Sequence, residues 1–228
     1  MRIGLGREGL LEEREVRDVV ARAAAALDRR WRRLLVLVPD GTRTMPLPFL
    51  ASLLEEELGP VTDALDFLVA LGTHRPMSDE QLSRLFGRPV RNGQMGRSRV
   101  FNHSSAPEAL TKVGTIPASE VAEITGGLLS EEVPVRVNRL VLDYDATLVL
   151  GPVFPHEVVG FSGGNKYFFP GIAGPEVINL THWLGALISS YEVIGSGYTP
   201  VRALIDHAAA LIDRPKACLA AVVVEGGL

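Results

Sequence analysis

An α/β fold with a mostly parallel sheet and helices on both faces is what this sequence predicts. Two wholly apolar runs, residues 34–38 and 65–71, each end in a polar loop and are each followed by a helix-period segment. A strand that reads as continuous apolar sequence, rather than alternating, is one covered on both faces, as in parallel sheets.

The elements follow in order. Residues 14–31 place Val16, Val19, Val20, Ala23, Leu27 and Trp31 on one face of a helix, with arginines and acids opposite. The strand at 34–38 stops at Pro39-Asp40-Gly41-Thr42-Arg43. A second helix from about Pro46 is expected to bury Phe49, Leu50, Leu53, Leu54 and Leu58. The strand at 65–71 ends at Gly72-Thr73-His74-Arg75-Pro76, and Ser78-Asp79-Glu80-Gln81 is a capping-box start for a third helix through Phe86. Residues 99–101 form a short strand before Asn102-His103. Residues 135–142 and 146–153 are apolar enough for strands, though the first also fits a helix. Residues 160–170 are Gly-rich and polar, hence a loop. Helices at 175–189 and 200–212 and a last strand at 216–224 complete the pattern. With no repeat, low-complexity tract or linker, one Rossmann-like domain over residues 1–228 is the simplest organisation.

Bulk properties remove several function classes. A formal net charge of -4 argues against a nucleic-acid groove or an anionic membrane as the partner. No apolar stretch has the length of a membrane-spanning helix, and Met1-Arg2-Ile3-Gly4 lacks the pattern of a signal peptide, so the expected compartment is cytoplasmic. Cys218 is the only cysteine, which excludes an internal disulfide and any multi-cysteine metal site. Its apolar run, 217–224, predicts a buried structural thiol. The ending Glu225-Gly226-Gly227-Leu228, directly after a strand, suggests a cut domain or a missing partner.

In such sheets ligands bind at loops beyond the carboxyl ends of the strands, which is where Asp40 to Arg43 and Gly72 to Arg75 fall. His74, His103, His156 and His182 lie in loops or at helix starts, whereas His207 sits within a helix and suits a surface or packing role. One such histidine alone is an ordinary surface residue. Several at one sheet edge point to acid-base work or metal ligation, since imidazole titrates near neutral pH and binds metal when neutral. Ser162-Gly163-Gly164-Asn165-Lys166 pairs small residues with an amine, which suits an anion or a nucleophile and equally a tight turn. It departs from the Walker pattern in spacing and in lacking a Ser or Thr after the lysine. Asp40-Gly41-Thr42-Arg43 offers an aspartate for a ribose hydroxyl and a guanidinium fork for a carboxylate, and by itself equally describes a turn. His182 has no second histidine four residues away, so it is at most one ligand of a metal held mainly by something else, or a histidine packing near Trp183.

Taken together, these motifs resemble the lactate racemase family. The set is Asp40-Gly41-Thr42-Arg43 with Pro46; Gly72-Thr73-His74-Arg75-Pro76; Pro155-His156; Gly160 through Lys166; Pro170-Gly171-Ile172-Ala173-Gly174; and Asn179 to His182. The resemblance runs from about Leu34 to the end. It implies a racemase or epimerase of a lactate-like 2-hydroxy acid that uses a nickel-pincer nucleotide, pyridinium-3,5-bisthiocarboxylic acid mononucleotide nickel. By position, Lys166 corresponds to the lysine that holds the cofactor, Ser162, Gly163 and Gly164 to its loop, Asp40 to a nucleotide contact and His182 to the nickel ligand. His74 and His156 correspond to acid-base histidines on opposite faces of the substrate, and Arg43 to the residue that orients its carboxylate. One histidine would take the hydroxyl proton while hydride leaves the α-carbon. Return of hydride to the other face, with the second histidine giving a proton, would invert the centre. Family members also carry a second domain that closes over the substrate, so a closing C-terminal domain or partner chain is expected. Ser104-Ser105 stand where the family often has an acid, and residues 191–199 replace a longer stretch. A different class of answer is a noncatalytic nucleotide- or phosphate-binding module, or a subunit that needs a separate partner.

Overall fold

The structure, a computed structural model, describes residues 10–224. The opening Met1 to Gly4 and the closing Glu225 to Leu228 lie outside these residues.

In chain order the elements are α1 (Glu13–Ala25), β1 (Arg33–Val38), α2 (Leu47–Leu58), β2 (Ala64–Val69), α3 (Asp79–Phe86), β3 (Gln94–Met95), β4 (Ser98–Asn102), β5 (Leu110–Ile116), α4 (Ala118–Ile124), β6 (Val133–Asn138), α5 (Leu140–Asp143), β7 (Ala146–Pro152), β8 (Pro155–His156), β9 (Gly160–Phe161), α6 (Pro175–Leu187), α7 (Ser190–Val193), α8 (Pro200–Ala210) and β10 (Lys216–Ala221), with a 3-10 turn at Gly164–Tyr167. Six strands form the main sheet in the order β10-β7-β1-β2-β4-β3. All neighbours pair in parallel except β3, a two-residue antiparallel edge.

Local chemistry accounts for the element boundaries. Helix α3 starts where Ser78 Oγ accepts from the Gln81 N–H and the Gln81 side chain accepts from the Ser78 N–H, so two otherwise orphaned donors are satisfied. It ends at Gly87, whose φ of 68° is the left-handed conformation that a side chain disfavours. Strand β1 is buried at five of its six positions because both faces are covered. Leu34, Val36 and Val38 pack under Val16 and Val20 of α1 and Leu50 and Leu54 of α2. Leu35 and Leu37 pack on the other face beneath Leu180 and Leu184 of α6 and Leu204 and Ile205 of α8. Fully burying each such leucine contributes roughly 2–3 kcal/mol.

Three sequence expectations need correction, and one segment carried no expectation. Helix α1 stops at Ala25, not Trp31. A turn from Asp28 follows, with the Trp31 N–H on the Asp28 carbonyl at 3.0 Å, and Leu27 and Trp31 pack on the core from outside the helix. Residues 135–142 divide between β6 and the single turn of α5. Residues 110–124 hold β5 and α4, which the sequence pattern does not reveal; β5 pairs antiparallel with β6 as a separate ribbon packed on the α6 side of the sheet. Cys218 is exposed. Burial along β10 alternates, so Ala217, Leu219 and Ala221 reach the core while Cys218 points to the other side of an edge strand.

The chain order sets where a ligand can bind. From β1 the chain runs outward through α2 to β2 and β4 with its helices on one face. From β7 it runs the other way, through α6 and α8 on the opposite face, to β10. The loops leaving β1 and β7 therefore part in opposite directions and open a crevice at their carboxyl ends, the topological switch point.

Candidate functional site

A cleft of about 280 Å³ occupies that position. Its walls come from loops after three adjacent strands: Asp40 and Arg43 after β1, His74 after β2, and Phe154 and His156 after β7. Ser162, Gly163 and Lys166 from the glycine segment and Thr181 and His182 from α6 complete it. Asp40, Arg43, His74, His156, Ser162, Gly163, Lys166 and His182 thus meet in one place, while Gly164 is not among the lining residues. His103 is not there either. Its ring is buried under the sheet edge, with Nε2 3.2 Å from the Ala173 carbonyl and Nδ1 3.2 Å from Asn138 Nδ2, and burial pushes its pKa down to about 4. His207 pairs with Glu120 at 2.9 Å on the surface.

The β1 loop is built on a carboxylate. Asp40 is 7% exposed; Oδ1 accepts from the Thr42 N–H at 3.0 Å and the Thr42 hydroxyl at 2.6 Å, and Oδ2 meets His74 Nδ1. Burial by itself would raise this carboxyl, but the bonds from Thr42 and His74 outweigh it and hold it below its ordinary range. Both oxygens are engaged within the chain, leaving little for the nucleotide contact that the resemblance implied. Arg43 is exposed, with its guanidinium 5.5 Å from the centre of the Phe154 ring. That stacking leaves the planar fork free for a carboxylate at the mouth.

The β7 side carries the amine. Lys166 Nζ lies 2.8 Å from His156 Nε2, and His156 Nδ1 accepts from the Val158 N–H at 3.1 Å. Burial, with the positive charge of Arg43 and Arg202 added, brings the Lys166 pKa down to about 8. Burial first, then the Lys166 charge, pushes the His156 pKa down as well. The glycine segment is held from behind. Gly163 has φ of 82°, and a Cβ there would lie 2.7 Å from Val153 Cγ2, so only glycine fits. The Arg202 guanidinium donates to the carbonyls of Phe161 and Gly163. Ser162 Oγ accepts from the Phe154 N–H at 3.0 Å and donates its proton to the Pro152 carbonyl at 3.1 Å. These two bonds tie the glycine segment to the end of β7.

His182 sits about two turns into α6 rather than in a loop or at the helix start, and its Nδ1 is 2.8 Å from the Ile178 carbonyl. A carbonyl can only accept, so in the neutral ring the proton belongs on Nδ1 and the lone pair on Nε2, the arrangement typical of a metal-ligating imidazole. Among the described residues no group of three His, Cys, Asp or Glu could hold a metal ion. Phe154 and Arg202 have no sequence motif that singles them out, and Thr181 lies in the matched Asn179 to His182 stretch without an assigned role; Arg202 comes from a helix 39 residues beyond Gly163.

Comparison with known proteins bears on the family and the fold. Residues 15–195 match the model of the lactate racemase N-terminal domain. The chain is 29% identical over 154 residues to the lactate racemase of Thermoanaerobacterium thermosaccharolyticum, covering 66% of this chain and 32% of that protein. It is 28% identical over 158 residues to the lactate racemase of Lactiplantibacillus plantarum, covering 68% and 34%. A crystal structure of a Thermotoga maritima protein superposes with a TM-score of 0.84 at 34% identity, over 94% of this chain and 52% of that one. The lactate racemase apoprotein of T. thermosaccharolyticum gives a TM-score of 0.68 at 20% identity, over 90% and 48%, a likeness of fold. The chain thus spans about a third of the curated relatives and about half of the solved chains. With the matched model covering most of its length, the chain belongs to the lactate racemase N-terminal domain family.

Proposed function

We propose that this chain is the cofactor-holding, acid-base half of a racemase or epimerase acting on a lactate-like 2-hydroxy acid. The observation that carries the reading is the meeting of His74 and His156, an amine and an arginine fork in one cleft at the switch point. A module kept only to bind phosphate would have no use for both imidazoles.

The residues fit a nickel-pincer nucleotide. The single bare nitrogen of His182 makes a poor metal site alone and a reasonable last ligand for a metal already held by another molecule. Lys166, an amine of lowered pKa inside the cleft, can pair with an acidic group of the nucleotide, and Gly163 lets the backbone come close. When bound, the group supplies the hydride acceptor. The chain does the rest. Arg43 takes the substrate carboxylate in its fork. One imidazole accepts the hydroxyl proton, and the other gives a proton to the carbonyl oxygen when the centre is re-formed from the opposite face. A closing domain or partner chain would exclude water, which otherwise competes with every polar contact in an open cleft.

The test is the chain co-expressed with cofactor-making enzymes and combined with a closing domain, read by intact mass, nickel content and loss of optical rotation of lactate. His74→Ala and His156→Ala should each abolish racemisation with cofactor loading nearly intact. Lys166→Ala should lose the nucleotide, and His182→Ala should lose nickel before nucleotide. Racemisation at the parent rate in both histidine variants would remove the acid-base assignment.

A further inference from the structure

We propose that Asp40 and the Val158 amide are positioning groups that hold His74 and His156 as opposite tautomers, so that a bare Nε2 on one ring answers an Nε2–H on the other. This rests on the reading of the two rings as the acid-base pair, and for His156 it describes the protein with Lys166 as the uncharged amine.

A neutral imidazole has one donor and one acceptor nitrogen, and whichever nitrogen is engaged by a fixed partner decides the other. Asp40 is an ionised carboxylate and can only accept, so the His74 nitrogen against it, Nδ1, carries the proton. The aspartate cannot turn away, because the Thr42 N–H and hydroxyl both hold its other oxygen. Nε2 is then the bare atom that His74 offers to the cleft. On the other side the Val158 N–H can only donate, so His156 Nδ1 is the acceptor and its proton sits on Nε2, against Lys166 Nζ. That contact is satisfied when Lys166 is an uncharged amine accepting the Nε2–H. His74 thereby presents a bare nitrogen to the cleft, whereas the His156 Nε2–H is directed at the Lys166 amine.

The tautomers can be read without cofactor or substrate. In the chain carrying 15N-histidine, at a pH above the Lys166 value of about 8, long-range proton–nitrogen spectra separate a protonated from a bare ring nitrogen. His74→Gln and His156→Gln assign the signals. Expected are Nδ1–H for His74 and Nε2–H for His156. Asp40→Asn should invert His74 to Nε2–H, because the amide oxygen stays with Thr42 and its NH2 then faces Nδ1 as a donor. His103 serves as the fold reference, since Nε2–H toward Ala173 and Nδ1 toward Asn138 fix its own tautomer. A parent spectrum with both active-site rings in the same tautomer overturns the proposal, as does Asp40→Asn that keeps the His103 signal and leaves His74 unchanged. Opposite tautomers in a protein that fails to racemise would leave the proposal standing and count against the racemase reading.

Discussion

Lys166 and His156 face each other with 2.8 Å between Nζ and Nε2, at the meeting of the glycine segment and the β7 loop. If Lys166 is protonated it must donate to Nε2, and a neutral His156 must then move its proton to Nδ1, against the Val158 N–H. The contact therefore adds to burial in favouring the uncharged amine.

That amine should react as a nucleophile at lower pH than an ordinary lysine. The chain has three lysines, Lys112, Lys166 and Lys216, so peptide mapping after brief acylation resolves each one. The Lys166 rate should reach half its plateau near pH 8, where about half the amine is neutral. A rate still climbing toward the ordinary value of 10.5 would show that the cleft does not discharge it.

His103 should make the fold sensitive to acid. Its pKa falls from 6.5 to about 4 on folding, so between those values the unfolded chain binds a proton that the native chain does not, and stability drops as pH falls through that window. A shift of this size is worth on the order of 3 kcal/mol. His103→Gln should lose some stability at neutral pH yet show a shallower fall in urea midpoint on acidification. Parallel acid limbs for the two proteins would place the sensitivity elsewhere. His156 contributes equally to both and cancels.

The fold is legible in the sequence where the cause is local or where both faces of a strand are covered. Leu34 to Leu37 read as a buried strand, and Ser78 with Gln81 marks a helix start, because neither depends on distant partners. Strand β5 is different. Lys112 and Gly114 interrupt any alternation, and the strand exists because β6 pairs with it across an irregular register between those two residues. Cys218 misleads for a related reason: an apolar run does not reveal that its strand lies at an edge with one side uncovered. In the site, the motif residues stand out because they cluster in loops after strands. Which way a ring turns is a tertiary matter, so His103, placed much like His74, ends in the core instead of the cleft. Arg202 belongs to an ordinary helix, and only packing brings it to the glycine segment.

Gly151 on β7 should tolerate no side chain, because a Cβ there would lie 1.8 Å from the Tyr167 hydroxyl and 2.2 Å from Cζ of a buried ring. Gly151→Ala must push Tyr167, the residue next to Lys166, off the sheet. Overpacking of this kind costs about 1–3 kcal/mol or more. Gly59, with open space around it and an ordinary helical φ of -53°, is the matched control, and Gly59→Ala should be neutral or slightly stabilising. Denaturant midpoints compare the two. Equal midpoints would mean that Tyr167 has a second place to go.

Arg202 should connect stability to cofactor retention. Its half-buried guanidinium, whose pKa burial lowers, donates to the Phe161 and Gly163 carbonyls and so holds the loop that carries Lys166. Arg202→Met keeps much of the apolar stem but leaves both carbonyls without that donor, which should cost about 1–3 kcal/mol. Arg202→Lys restores one charged donor but not the planar fork, and a single ammonium cannot reproduce the pair of directed bonds. The order of stability should be parent, then Lys, then Met. Cofactor retention should follow the same order, because the loop sets where the Lys166 amine sits relative to His156. An Arg202→Met protein that melts early yet loads nucleotide as fully as the parent would separate the two effects, leaving Arg202 a packing residue and placing control of the loop with Gly163 and Ser162.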